Sequence, residues 1–361
     1  MTNDQQSESG SQMPAASDQQ PVASNRPFII PIFLPHAGCP HRCVFCDQTS
    51  ITGVRSTQPQ KDVCDQIEAF LKFKTARRNR IQIAFFGGNF LGMPADKIKR
   101  LLAEAAEYVR TGRVNSIRFS TRPDTIDRRR LNLIKNFPVT TIELGVQSMD
   151  ERVLSTTKRG HSALDTEKAI RRLKELNYEI GVQLMVGLPG DTPERSIASA
   201  QWIACLKPDF IRIYPTVVLA GSPLAAWYRK GDYVPLSMEA AVSQAKNMYL
   251  LFKNENIRVI RMGLQASVDL EDGSVILAGP YHPAFGHQVY AEVFLDMTIA
   301  ALESENSIED PLMLRVHPRS ISKMKGLKNK NIHILKEKFK IKSIEVVPDG
   351  SVGEEALVIG Y

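Results

Sequence analysis

The strongest constraint in this sequence is a regular alternation between short apolar runs and longer segments with helical spacing. Strands that alternate with helices form βαβ units, so the alternation predicts an α/β fold with a parallel sheet. Periodicity alone does not distinguish a doubly wound open sheet from a partial barrel. The apolar, β-branched runs cover residues 28–34, 81–86, 114–120, 140–146, 180–186 and 210–216, and the helical segments 61–74, 95–110, 163–176 and 193–205.

The pattern continues beyond these six units and then changes. Residues 237–254 read as a further helix and residues 257–262 as a further strand. Beyond residue 305 the sequence predicts a small α+β appendage. The segments that suggest it are residues 311–317, a helix around residues 328–339 and strands near residues 343–347 and 355–359.

Three regions of the chain differ in composition. Residues 1–26 are rich in Gln, Ser, Asn and Asp and contain almost nothing apolar to bury, so they predict a disordered leader. Residues 27–305 form the predicted α/β domain, and residues 306–361 the basic appendage.

The chain has neither of the two signals that direct a protein into or across a membrane. No stretch approaches the ~18 apolar residues of a membrane span. The N-terminus has no apolar segment typical of a secretory signal. We therefore expect a cytoplasmic protein, where cysteines stay reduced and serve metals or catalysis more often than disulfides.

Positive charge is concentrated near the C-terminus. Between Arg315 and Lys342 there are ten Lys or Arg and one acidic residue, whereas the net charge of the whole chain is +7. A basic segment on a nearly neutral body suits a polyanion such as tRNA or another RNA, although a solvated surface has the same composition. The candidate RNA-binding residues are Lys323, Lys325, Lys328 and Lys330.

Three of the five cysteines, Cys39, Cys43 and Cys46, lie together immediately after the first predicted strand. Three thiolates on one loop can hold one face of a metal centre. On a four-iron cluster they leave one iron open to a further ligand, as catalytic metal sites do. Structural zinc is the alternative, with His36 or His41 as the fourth ligand, but the usual second Cys-x-x-Cys pair is absent.

The two remaining cysteines, Cys64 and Cys205, lie in segments with helical spacing. Cysteine outside a metal or catalytic motif is most often a small buried apolar residue. We therefore expect both to be buried in helix packing rather than to bind metal.

The cysteine spacing, with the aromatic Phe45 before the last cysteine, resembles the signature of the radical S-adenosylmethionine (SAM) superfamily. Further segments resemble the branch that contains the catalytic subunit of Elongator, whose members modify wobble uridines in tRNA. Those subunits carry an acetyltransferase domain after the barrel, and residues 306–361 are too few to form it. The similar segments are residues 36–48, 85–90, 120–124, 143–148, 187–190, 261–265 and 279–286.

This resemblance implies a fold and a chemistry. The fold is a partial (β/α)6 TIM-like barrel over residues 27–305. The cofactors are a [4Fe-4S] cluster on Cys39, Cys43 and Cys46, and SAM, which is cleaved reductively to a 5′-deoxyadenosyl radical. The partner implied by this chemistry is an electron donor such as flavodoxin or ferredoxin.

The resemblance also implies cofactor contacts for individual residues. Phe45 would lie against the adenine ring, and the turn Gly87–Gly88 would let the backbone approach the methionine ammonium. Asn89 stands where many members have Glu, so its side-chain oxygen would serve the ammonium. After the third strand, Ser120 would contact the ribose or the methionine carboxylate, and Arg122 would pair with that carboxylate. The alternatives are a helix cap for Ser120 and a surface charge for Arg122.

Polar residues on three later strands complete the candidate cofactor site. Glu143 and Gln147 are separated by an even number of positions on the fourth strand, so they face one side. A charge inside a barrel needs a partner, which favours a polar cavity there. Gln183 lies on the fifth strand, and Arg212 on the sixth either points outward or lines this cavity. Arg159, shortly after the fourth strand, could neutralise a carboxylate or phosphate.

Three hypotheses about function follow from these observations. The first is a radical SAM enzyme that modifies RNA, in particular tRNA. The second is a radical SAM enzyme that acts on a small molecule such as a tetrapyrrole. The third is a non-catalytic RNA-binding protein stabilised by zinc. The sequence identifies no catalytic residue beyond the cluster ligands.

Overall fold

The fold is described from a computed structural model of the chain. The structure describes residues 27–40, 42–52, 63–73, 80–265, 268–271, 273–305 and 307–360. The predicted leader, residues 1–26, lies outside the described residues, as does His41.

The described residues contain twelve strands and thirteen α-helices. The strands are β1 (Phe28–Leu34), β2 (Ile81–Gly87), β3 (Ser116–Thr121), β4 (Val139–Gln147), β5 (Glu179–Val186), β6 (Phe210–Pro215), β7 (Val218–Leu219), β8 (Arg258–Met262), β9 (Ile276–Ala278), β10 (Leu312–Val316), β11 (Ile344–Pro348) and β12 (Leu357–Gly360). The helices are α1 (Gln48–Thr52), α2 (Val63–Leu71), α3 (Ala95–Arg110), α4 (Arg128–Ile134), α5 (Glu151–Thr156), α6 (Ala163–Glu175), α7 (Pro193–Cys205), α8 (Leu224–Lys230), α9 (Met238–Asn254), α10 (Val268–Glu271), α11 (Phe285–Glu303), α12 (Ile321–Lys325) and α13 (Lys330–Phe339).

Seven parallel strands form the main sheet, in the order β1-β2-β3-β4-β5-β6-β8. Every neighbouring pair is parallel, and the first six strands are joined in chain order by crossovers that contain helices. Twisted strands arranged in this way curl into a half-barrel with the helices outside. The predicted partial barrel is therefore confirmed, and the predicted further strand at residues 257–262 is β8, the last strand of the sheet.

One large apolar core lies between the sheet and its helices. Alternate residues of the strands face it, including Ile30, Ile83 and Phe119, which are fully buried. The buried residues of α3 recur three or four positions apart, so one side of this helix covers the sheet. Burial of this core stabilises the packing of the helices on one face of the sheet. The other face of the sheet lines the barrel interior.

The inner face of the half-barrel is polar. Glu143 of β4 lies between two arginines: its Oε1 is 2.5 Å from Arg118 Nη2 of β3, and its Oε2 is 2.7 Å from Arg212 Nε of β6. Arg118 also donates to Gln82 Oε1 of β2 over 3.3 Å. The Arg212 side chain therefore points into the barrel rather than outward. The two ion pairs connect β3, β4 and β6, and β4 and β6 are not neighbours in the sheet.

The C-terminal part has a second, smaller sheet. β10 lies in its centre, parallel to β11 and antiparallel to β12. Its core includes Leu312, Leu314 and Met324, together with Phe294 and Leu302 of α11. The helix α11 thus contributes to both cores, and the boundary between residues 305 and 306 stays a prediction. In the part of the chain that the structure describes, no helix is long and apolar enough to cross a membrane.

The buried ion pairs make the Glu143 carboxylate essential for stability. Replacing Glu143 with Gln leaves two buried guanidinium groups without their counter-charge, and we expect the free energy of unfolding to fall by about 3–5 kcal/mol. Urea unfolding followed by circular dichroism measures this change. The matched control is Glu107→Gln, which breaks the exposed pair with Arg110 on α3 and should leave the midpoint unchanged. Equal midpoints for the two variants would contradict the prediction.

Candidate functional site

The three cysteines lie on the loop between β1 and α1, which we call the cysteine loop (residues 35–47). This loop leaves the carboxyl end of β1, the end at which parallel α/β sheets form their sites. Cys43 is buried, and Cys39 and Cys46 are half-buried. Within the described ranges, no three His, Cys, Asp or Glu side chains converge on a single metal ion. The cysteines of an iron–sulfur cluster bind different irons, so they need not converge.

The thiols of the cysteine loop are chemically suited to a metal centre. Burial raises the pKa of Cys39, and it raises the pKa of Cys46 to about 12. The neighbouring Cys43 is the second cause of both increases, and the value of about 12 for Cys46 includes its effect, because thiolates close to one another repel. Without metal, Cys46 is therefore protonated at neutral pH. A bound metal centre would displace such protons and neutralise the repulsion, so the donor set fits a cluster.

A buried arginine, Arg159, contacts the cysteine loop and places a positive charge near its thiols. Arg159 follows α5, and its Nη1 donates to Cys43 Sγ over 3.0 Å. Its Nη2 donates to the carbonyl of Gly145 in β4. The charge of Arg159 lowers the pKa of Cys39 and Cys46, against the effect of burial. Sequence reasoning expected a carboxylate or phosphate partner for Arg159, whereas the structure brings this residue to a cysteine sulfur.

The turn after β2 holds the cysteine loop by its backbone. Gly88 N donates to Leu34 O over 2.9 Å, and Asn89 N donates to Ala37 O over 2.7 Å. A Cβ at Gly88 would lie 2.1 Å from Ala37 O, and one at Gly38 would lie 2.2 Å from Asn89 O. Only glycine fits at these two positions, since the two backbones are in direct contact.

The neighbouring Gly87 has φ +108°, which is a backbone conformation that favours glycine. A Cβ there would lie 3.1 Å from Leu34 O, so this glycine also accommodates the β1 backbone. The predicted approach of Gly87 and Gly88 to the methionine ammonium stays a prediction. What the structure shows for both is close contact with the chain that leads into the cysteine loop.

The side chain of Asn89 links the cysteine loop to the end of β3. Its Nδ2 donates to Gly38 O over 3.0 Å. Its Oδ1 accepts from Thr121 Oγ1 at 2.7 Å, Thr125 Oγ1 at 3.0 Å and the Arg122 backbone N–H at 3.1 Å. Asn89 is 1% exposed, so this network is shielded from water. The predicted contact between Asn89 and the ammonium would have to share an oxygen that already accepts three hydrogen bonds.

Arg122 lies beside this network. Its backbone N–H donates to Asn89 Oδ1, while its Nε lies 2.9 Å from Asp124 Oδ1. The charge of Arg122 lowers the pKa of Cys39, so its electrostatic influence extends to the cysteine loop. Its predicted pairing with the SAM carboxylate stays a prediction. The structure provides the Asp124 carboxylate as its partner.

Phe45 anchors the other side of the cysteine loop. The residue before it, Val44, donates its N–H to Thr157 O at 3.1 Å and accepts from Leu224 N at 2.7 Å, so the loop also contacts the ends of α5 and α8. Phe45 itself is half-buried and packs against two apolar clusters. Any aromatic side chain could make these apolar contacts. The contact of Phe45 with adenine stays a prediction. The two clusters contain Val218, Leu224, Ala225 and Tyr233, and Val153, Met185 and Leu188.

The carboxyl end of β4 carries an unusual backbone conformation. Gln147 has φ +74°, which is uncommon for a residue other than glycine, and the pairing of β4 with β5 shifts between Gly145 and Gln147. A bulge of this kind redirects a side chain, and such strain is frequent at functional sites. Gln147 Oε1 accepts from Gln183 Nε2 over 3.2 Å, so the structure brings these two predicted residues together.

Ser120 lies on β3 beside the glycine turn. It lines a small cavity together with Gly88, Phe86 and Ala37. The structure thus brings together Ser120 and Gly88, two residues that sequence reasoning assigned to the same cofactor. Their contact with SAM stays a prediction.

One of the two other cysteines differs from expectation. Cys64 is half-buried in the first turn of α2, and Cys205 is exposed at the last residue of α7. Cys64 packs against the main core, whereas the prediction of burial was wrong for Cys205, because helical spacing does not indicate which side of a helix end meets the core.

The basic residues lie on α12, α13 and their connection. Lys328 and Lys330 are exposed, whereas Lys323 and Lys325 are half-buried. Lys323 Nζ lies 4.9 Å from the centre of the Tyr290 ring, in a cation–π contact. Part of the surrounding positive charge is already neutralised, because Arg319 pairs with Glu354 and Lys338 with Glu303.

Comparison with known proteins identifies the family. The model of the radical SAM superfamily matches residues 33–203, which run from the end of β1 through the cysteine loop into α7. The model of the Radical_SAM C-terminal domain matches residues 208–294. The chain therefore belongs to the radical SAM superfamily. Membership favours an iron–sulfur cluster over the zinc alternative.

Two curated relatives and one solved structure are similar to this chain. An uncharacterized protein of Methanocaldococcus jannaschii is 27% identical over 57% of this chain and 66% of its own length. The tRNA uridine(34) acetyltransferase of Dehalococcoides mccartyi is 25% identical over 55% of this chain and 50% of its own length. The structure of archaeal Elp3 from Methanocaldococcus infernus shares the fold, with a TM-score of 0.58 and 23% identity over 76% of this chain and 63% of that one. The chain spans about half to two thirds of these proteins.

The contact between Gly88 and Ala37 makes a specific prediction. In Gly88→Ala the added methyl group overlaps the Ala37 carbonyl, and we expect the turn to move away from the cysteine loop. The free energy of unfolding should fall by about 1–3 kcal/mol, and iron content after anaerobic reconstitution should fall well below that of the wild type. Gly350→Ala is the control, because nothing lies within 4 Å of a Cβ there. Wild-type iron content in Gly88→Ala would show that this contact does not hold the loop.

Proposed function

We propose that this chain holds a [4Fe-4S] cluster on Cys39, Cys43 and Cys46 and binds SAM beside it. The observation that carries the proposal is three interacting thiols on one braced loop at the carboxyl end of β1, in a chain of the radical SAM superfamily. With both cofactors bound, the site would supply one-electron cleavage of SAM to a 5′-deoxyadenosyl radical. The electron would come from a donor such as flavodoxin or ferredoxin.

The residues around the cysteine loop would hold and orient this site. Arg159 donates to the sulfur of Cys43 and so would orient this ligand toward the cluster. The Gly88 and Asn89 contacts fix the loop backbone relative to β2 and β3. We assign SAM contacts to Phe45, Gly87, Gly88, Asn89, Ser120, Arg122, Glu143, Gln147, Gln183 and Arg212.

We further propose that the substrate is RNA, and in particular tRNA. Two observations support this. The D. mccartyi relative is a tRNA uridine(34) acetyltransferase. The end of α12, the connection that follows it and the start of α13 carry Lys325, Lys328 and Lys330, for which the described residues provide no ion-pair partner. Lysines without an ion-pair partner, of which Lys328 and Lys330 are exposed, suit phosphate groups. We also propose a cytoplasmic location, because cysteines that bind a cluster must stay reduced.

The cluster assignment is tested by cysteine substitution. We expect anaerobically reconstituted wild type to carry about four iron atoms per chain and to release 5′-deoxyadenosine when incubated with SAM and dithionite. Cys43→Ser should lose both, because a hydroxyl is a poor iron ligand. Cys205→Ser, at an exposed position outside the loop, is the control and should keep both. A colourless wild type that binds zinc and releases no 5′-deoxyadenosine would reject the assignment.

The RNA assignment is tested by filter binding of bulk tRNA as a function of salt. Each lysine that contacts a phosphate contributes about one unit to the slope of log affinity against log salt concentration. The double variant Lys328→Gln/Lys330→Gln should therefore bind more weakly, with a slope shallower by about 2. Lys338→Gln is the control on the same helix, because Lys338 is already paired with Glu303. A wild type with no affinity for tRNA at low salt would favour the small-molecule alternative, such as a tetrapyrrole.

A further inference from the structure

The last strand of the half-barrel has an arginine on the inner face. Ile213 of β6 pairs with Met262 of β8, and both side chains belong to the core between the sheet and its helices. The preceding pair, Arg212 and Arg261, must therefore face the opposite side, because neighbouring residues of a strand alternate. That side is the barrel interior, where Arg212 meets Glu143. Arg261 is half-buried there.

The barrel interior has more positive than negative charge. Glu143 is the counter-charge of both Arg118 and Arg212, so these three groups carry a net charge of +1. No hydrogen bond or ion pair of Arg261 is found among the described residues, so its guanidinium adds a second uncompensated charge. A half-buried guanidinium without a partner is unfavourable, because burial removes water that nothing replaces.

The neighbours of Arg261 on the inner face are hydrogen-bonding groups without negative charge. Gln183, Arg212 and Arg261 lie in register across β5, β6 and β8. Arg212 Nη1 lies 3.3 Å from the hydroxyl of Tyr214, which is nearer the carboxyl end of β6. This part of the barrel can therefore offer several donors to an anion, and Glu143 is already engaged by two arginines.

We propose that Arg261 forms a subsite for a phosphodiester group of the RNA substrate on the inner face of the half-barrel, beside Arg212. This inference rests on the RNA substrate proposed above. Five strands separate β8 from β1, which leads into the cysteine loop, so the subsite lies on the last strand of the sheet and the cluster ligands follow the first. Guanidinium groups match phosphate oxygens in charge and in planar geometry. The subsite would position the RNA strand next to the nucleotide that reacts.

The test compares tRNA binding by reconstituted full-length protein and three variants over a range of salt concentrations. For Arg261→Gln we expect affinity at low salt to fall by about tenfold and the salt slope to become shallower by about 1. Arg261→Lys keeps the charge and should keep the slope. Arg258→Gln is the control on the same strand, because Arg258 is exposed and pairs with Glu179 at the other end of β8, and its binding should match the wild type.

Two further measurements distinguish a phosphodiester subsite from a folding defect and from a cofactor subsite. Iron content and circular dichroism establish that each variant is folded and loaded, and equilibrium dialysis measures its affinity for SAM. Wild-type affinity and slope in Arg261→Gln would overturn the inference while leaving the lysine-dependent RNA binding intact. Weaker SAM binding with unchanged tRNA binding would also overturn it and assign Arg261 to the cofactor. A wild type that binds no tRNA would reject the RNA substrate and this subsite together.

Discussion

The structure depends on one difficult requirement: three sulfur atoms that repel one another as thiolates must be held on a single short loop. The chain meets this requirement through backbone contact. Gly38 and Gly88 let the cysteine loop and the turn after β2 touch, and the Asn89 side chain joins both to the end of β3. The sheet therefore acts as the rigid support of the loop, and the helices packed on the sheet stabilise that support.

Much of this arrangement follows from local patterns that a sequence displays. The strand β1 and the helices α3 and α7 begin and end where apolar periodicity predicts them. The cysteine spacing is equally local. Contacts between distant residues are different, because no local pattern encodes them. Arg159 and Cys43 are separated by 116 positions, and only the curvature of the sheet brings them within 3.0 Å.

The polar residues of the barrel show the same division. Alternation along β4 correctly indicated that Glu143 faces the interior, where a charge needs a partner. Its two partners could not be chosen from the sequence, since Arg118 and Arg212 lie on different strands and either could have pointed outward. The left-handed conformation of Gln147 has no sequence signal either, because glutamine rarely adopts it. Charge counting in the C-terminal part was informative about composition but not about pairing, as the ion pair between Lys338 and Glu303 shows.

The irregular pairing of β6 with β8 has a consequence for the side-chain pattern of β8. Ile211 pairs with Val259 and Arg212 with Arg261, so Ile260 is an extra residue in the strand. If β8 passed through Ile260 as a regular strand, without a bulge, the alternation would send Arg261 to the helices and Met262 into the barrel. One inserted position thus reverses the phase of the strand halfway along its length. A deletion at residue 260 would instead leave a regular strand in which Arg261 still faces the barrel and Met262 still faces the helices.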